Sequence, residues 1–115
     1  MLCCKSAEGQ LVLPRVSLAN TFWLRLKGLL GRQALAPDEG LLIRPCNSVH
    51  SLGMRFSIGV VFLDADNQIV HLIPELAPGR LSPLIRPAKQ VLELHPETLD
   101  RSSLKTGQQL HFSPC

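Results

Sequence analysis

A single, mainly β domain is what this sequence predicts, and three observations carry the prediction. Residues Met54–Leu63 alternate strictly: Met54, Phe56, Ile58, Val60 and Phe62 fall on one face, and Arg55, Ser57, Gly59, Val61 and Leu63 on the other. Period two over that span marks a strand with one face buried throughout, and its β-branched and aromatic content suits a pleated, packed surface. Nine prolines and eight glycines in 115 residues demand many turns, which favours sheet over a helical bundle. Helical spacing of apolar residues occurs in one short stretch, Phe22–Leu30.

A chain of 115 residues builds one core, so residues 10–113 are expected to form a single β-rich domain behind a mobile N-terminus, 1–9. The composition, 45% hydrophobic and 18% charged, is that of a globular protein. Net charge is +3, too mild and too scattered for a nucleic-acid binder. No apolar run approaches the roughly 18–20 residues of a membrane helix. MLCCKSAEG has no apolar core of a secretory signal, so the chain is expected in the cytoplasm with Cys3, Cys4, Cys46 and Cys115 reduced.

In chain order, Gln10–Val16 reads as a first strand ending or edging at Pro14. Asn20 or Thr21 can cap a helix whose stripe is Phe22, Trp23, Leu26, Leu29 and Leu30, with Gly31 as its stop. The stripe is expected to pack on the core and to bury Trp23; a basic helix lying on a membrane or partner is the alternative. Ala36–Gly40 is a turn, and Leu41–Ile43 a short buried strand. The long strand then runs through Cys46–Asp64 with a bend at Gly53, and its far end, at Val61 and Leu63, is expected to be covered on both faces. Residues 64–68 form a hairpin loop in which Asn67 takes the left-handed conformation, and Ile69–Ile73 is the return strand. Four prolines in 74–87 mark a long loop. Lys89–Leu94 is a further alternating strand, a helical turn starts near Pro96, and Leu110–Phe112 closes the chain.

RLKGLLGR at 25–32, Gly40, CNSVHSLGMRFSIGVVFLD at 46–64, QVLEL and TGQQL together resemble the uncharacterised bacterial and archaeal family called domain of unknown function 192. The resemblance spans roughly residues 15–112, and its most specific piece is the central stretch, similar to C-x-S-V-H-[TS]-x-G-M-R-F-P-I-D-V-V-F-L-D. It implies a compact β-sandwich of jelly-roll type with one short amphipathic helix, and no established activity. Three positions depart from the family pattern: Gly59 stands where it has an acid, Glu97 within its L-P-[AG]-G piece, and Gln108 in place of its late acid. If those acids carry the family's function, this member is altered; if they satisfy turn donors, their loss costs about 1 kcal/mol each.

Chemistry is thinly marked. Ser/His/Asp, P-loop and dinucleotide signatures are missing. Asn47, His50 and Arg55 stand where the long strand starts, and Arg80 and Arg86 on the loop that should return beside it. A hairpin brings its second strand back antiparallel, so these five residues are expected at one end of the domain as a site for a small anionic ligand or a protein partner. Such a site needs no cofactor and suits a non-enzymatic protein that is a monomer or weak dimer. The alternative is a soft-metal protein using Cys46 and His50, though three or four converging ligands are required. An enzyme with a Cys46–His50 pair comes third, since it needs an activated thiolate.

Overall fold

The computed structural model describes residues 1–115, with the side chains of Phe22 and Leu26 outside the description. Seven strands, β1 (Leu2–Ser6), β2 (Leu11–Ala19), β3 (Glu39–Ile43), β4 (Ile58–Leu63), β5 (Ile69–Leu76), β6 (Gln90–Leu94) and β7 (Leu110–Pro114), are joined in chain order with two short helices, α1 (Phe22–Lys27) and α2 (Pro96–Ser102). The chain is mainly β, as expected. The two sheets of a sandwich are replaced by one, in the order β5-β4-β6-β3-β2-β1-β7.

That sheet curls into a half-barrel, and the curl deals with its two edges. β5 and β7 meet at one end, where Ile69 N–H donates to Gln108 O at 2.8 Å and Gly107 N–H to Ile69 O at 2.7 Å. Leu110 N–H donates to Asn67 O at 3.0 Å, so edge donors that would invite another chain are partly satisfied within the molecule. Asn67 makes this possible by turning the 64–68 loop at φ 62, as its sequence position suggested.

All pairings are antiparallel except β2 with β3. A parallel pair cannot close through a tight turn, so residues 20–38 cross over the sheet and carry α1. Thr21 caps that helix, its Oγ1 accepting from Leu24 N–H at 3.2 Å. The helix is shorter than its apolar spacing suggests: the chain leaves it at Gly28, φ 49, rather than at Gly31. Leu29, 4% exposed, therefore reaches the core from the turn beyond the helix, while Trp23 lies 74% exposed. The expected burial of Trp23 is thus overturned; Phe22 and Leu26 of the same stripe lie outside the described side chains.

Alternation in β4 divides the core in two. Ile58, Val60 and Phe62 join Leu41, Ile43 and Val91 under Leu29, Leu35, Val49, Met54 and Ala88 from the covering segments. Val61 and Leu63 join Leu13, Val16, Leu42, Leu92, Leu94 and Leu110 inside the curl, with Leu99 of α2. Every residue of β4 is buried, so the two-sided cover expected at its far end extends along the whole strand. Loops and the α1 segment, not a second sheet, make the outer layer.

Several further expectations change. Regular strand begins only at Ile58, and the preceding stretch is irregular apart from a bridge between His50 and Leu81. Leu2–Ser6, read as part of a mobile lead-in, is β1, inserted between β2 and β7. Pro14 lies inside β2 at a register irregularity opposite β1, which spares the ladder its missing N–H. β5 runs on through Pro74 to Leu76, tolerated because β5 is an edge. Cys3 and Cys115, expected reduced, are joined in a disulfide.

Gly59 has a packing reason. A Cβ there would stand 2.8 Å from Leu99 Cδ2 and 3.2 Å from Leu99 Cβ, so α2 occupies the volume any side chain would need. The acid of the family pattern has no room in this chain. Gly59→Ala is expected to lower stability by about 1–3 kcal/mol through overpacking, read from the urea midpoint. An unchanged midpoint would mean that α2 yields freely.

Candidate functional site

The site is built on β6. Its alternation sends Leu92 and Leu94 into the curl and leaves Val91 and Glu93 on the outer face. Glu93 is flanked by Leu41 of β3 and Val60 of β4, both buried. An acid in the middle of an apolar face, 3% exposed, is unusual, because ionising it there removes water's solvation without replacement. Neither ion pair among the described residues involves it. Burial alone pushes its carboxyl up to about 7.

Glu93 lies at a cleft of about 100 Å³ between the end of α1 and the segment 45–54. Arg25, Cys46, His50, Met54 and Ile43 line the same cleft. Arg25 donates through Nη1 to Pro45 O at 3.3 Å, but its Nε is buried without a hydrogen-bond acceptor. A buried donor without an acceptor and a buried acid outside the described ion pairs thus share one small cavity. Lys27 and His50 add further cationic or protonatable groups.

Cys46 is half-buried, its Sγ donating to Ser48 O at 3.0 Å. Burial pushes its thiol up. That is the wrong direction for a thiolate nucleophile, so the Cys46–His50 enzyme reading loses its main requirement. The two residues do line one cleft, as the soft-metal alternative asks. Among the described residues, however, no three of His, Cys, Asp and Glu come together as a metal-holding group.

The five residues singled out from the sequence are brought near one another by backbone, and only partly by side chain. Segment 77–88 runs back along 47–51: Ile85 N–H donates to Asn47 O at 2.9 Å, Ser82 N–H to Val49 O at 2.9 Å and Ser51 N–H to Arg80 O at 2.8 Å. Ser51, fully buried, ties the two together, its Oγ donating to Ala77 O at 2.5 Å and accepting from Arg80 N–H at 2.9 Å. Only His50 of the five lines the cleft; Asn47 lies over a shallow groove beside Lys89, and Arg55, Arg80 and Arg86 are exposed. Sequence reasoning missed Glu93 and Arg25. The signal for Glu93 was present in QVLEL, an acid sharing its strand face with Val91; for Arg25 it was its place at the head of RLKGLLGR, beside the helix stripe.

The sequence of domain of unknown function 192, described as "Uncharacterized ACR, COG1430", matches residues 4–112. The chain belongs to this family. The UPF0127 protein PF1050 of Pyrococcus furiosus is 31% identical over 109 residues, covering 92% of this chain and 93% of that one. A protein of unknown function from Novosphingobium aromaticivorans superposes with a TM-score of 0.81 at 20% identity, over 96% of this chain and 82% of its own. A second, from Sinorhizobium meliloti and named "putative transcription regulator", does so with 0.77 at 24%, over 96% and 91%. At those identities the likeness is one of fold. The family and these neighbours carry no established activity, so function in this member has to be argued from its own cleft. Among the described residues, no helix is long and apolar enough to cross a membrane.

Proposed function

We propose that this member of the family is a binding domain whose cleft between α1 and residues 45–54 takes a small ligand with negative charge. The observation that carries the reading is the Arg25 Nε, a buried donor with no acceptor, at a cavity that also holds the buried Glu93. A buried donor left unsatisfied costs about 1–3 kcal/mol, and a ligand acceptor recovers that cost. Small-molecule sites are concave, mostly apolar and furnished with a few convergent polar groups; Ile43, Val49 and Met54 supply the apolar wall here.

The exposed Arg55, Arg80 and Arg86 belong to the same reading as a positive surround, with His50 lining the cleft itself. Exposed charge of one sign raises the local concentration of an opposite ion and weakens with salt. The cleft needs no second chain, which suits the monomer or weak dimer expected from the sequence.

The test is a screen of small carboxylates, amines and neutral amides against methyl-labelled protein. Shifts are expected at the Met54 and Leu29 methyls for anionic compounds, and Arg25→Ala should abolish them. Shifts confined to the exposed Arg80–Arg86 segment, or to the 64–68 hairpin, would sink the cleft reading.

A further inference from the structure

Arg25 Nε, a buried donor without an acceptor, and the buried Glu93 together narrow the ligand's chemistry, an argument that rests on the binding reading above. We infer that the ligand presents a carboxylate, and that Glu93 binds it as a neutral acid, its O–H and the Arg25 Nε–H donating to the one anion.

The argument is one of complementarity. Arg25 is donor only, so whatever fills the cleft beside Nε must accept. Glu93 can offer either an acceptor, when ionised, or a donor, when protonated. An ammonium ligand would suit ionised Glu93 but would place a second cation beside Arg25 and leave its Nε without an acceptor. A carboxylate satisfies both groups at once. Two carboxylates in one desolvated site cannot both stay ionised, and the protein's own acid is the one already biased towards its proton by burial between Leu41 and Val60. The charges then balance: one guanidinium, one carboxylate, one neutral acid.

Binding is therefore coupled to protonation. Where Glu93 is ionised, each ligand carboxylate that enters draws one proton from solvent onto the Glu93 carboxylate, with no other bond made or broken. The groups facing Glu93 are few. Leu41 and Val60 flank it on the neighbouring strands, Arg25 and Lys27 stand on α1, and Cys46 and His50 on the 45–54 segment.

The experiment titrates sodium acetate, methylammonium chloride, acetamide and sodium phosphate into methyl-labelled protein at constant ionic strength, at pH 6 and pH 8, following Met54 and Leu29. Acetate is expected to bind about tenfold more tightly at pH 6, the ratio of protonated Glu93 at the two values for a group titrating near 7. Calorimetry in two buffers of different ionisation enthalpy should give uptake of about 0.9 proton per acetate at pH 8. Glu93→Gln keeps a neutral donor, so acetate should still bind, now equally at both pH values. The calorimetric measurement on the unmodified protein decides the matter should that variant fail to fold.

A pH dependence that survives Glu93→Gln assigns the proton to another group of the cleft and overturns the inference, as does acetate binding without proton uptake. Methylammonium, acetamide or phosphate shifting Met54 in preference to acetate leaves the cleft a binding site but removes the carboxylate assignment. No shift at Met54 or Leu29 with any probe removes the cleft reading itself.

Discussion

Raising the pH from 4.5 to 9 is expected to cost the folded protein about 3 kcal/mol through Glu93 alone. In the fold its carboxyl is pushed from 4.5 up to about 7 by burial, and each unit of difference between folded and unfolded states is worth about 1.36 kcal/mol. The folded state holds the proton more tightly than the unfolded chain, so unfolding releases it, and stability falls as pH rises through that interval. The contribution is whole below the unfolded carboxyl's range and gone above the folded value. Glu93→Gln removes the titration, so the difference between the two proteins' urea midpoints, taken at half-unit steps of pH, isolates the residue. Parallel profiles would show that the Glu93 carboxyl is solvated in the native state, and with that the buried-acid account of the cleft would fail.

Reduction of the Cys3–Cys115 disulfide is the other change with a large expected effect. The bond spans 112 residues of sequence, and closing a loop of that order removes about 4–5 kcal/mol worth of disorder from the unfolded chain. It ties β1 to β7, strands already paired in register from Leu2 opposite Pro114 to Ser6 opposite Leu110, so the folded chain orders little further to make it. A urea midpoint that falls with dithiothreitol, and a Cys3→Ser variant that matches the reduced protein and no longer responds, is the expected pair of results. Cys4, buried and pushed up to about 12, stays an unreactive thiol throughout. A midpoint indifferent to reductant would mean that the bond places no constraint on unfolding. Because disulfides persist in oxidising compartments and are reduced in the cytoplasm, the bond's state in freshly isolated protein also reports where the chain works.

Local features of the chain were readable because short-range sterics decide them. Period two from Ile58 to Leu63 gave the two faces of β4 correctly, since side-chain direction alternates in any strand. Asn67 at φ 62, Thr21 as the cap of α1 and Pro96 at the start of α2 follow from what those residues can do within a turn of chain. An antiparallel hairpin was expected to return the proline-rich loop to the start of the long strand near 54–56; 77–88 instead lies along 47–51.

What pairs with what beyond neighbours in sequence was not legible. That one seven-stranded sheet curls until β5 meets β7, rather than splitting into two layers, depends on contacts between residues 67–69 and 107–110 that no local pattern encodes. The burial of β1 depends on β7, at the other end of the chain. Met54–Ser57 continue the alternation yet form no strand, because covering segments rather than a neighbouring strand lie beside them.

The site shows the same division. Sequence alone determined a mainly β domain of the family of domain of unknown function 192 and its turn residues. Tertiary structure alone decided that Glu93 is buried, that Arg25 reaches the same cleft with an unsatisfied donor, and that Trp23 faces outward. The reason is physical: an acid's burial and a donor's lack of a partner are properties of the space around a side chain. That space is assembled here by α1, β6 and residues 45–54, drawn from three separate parts of the chain.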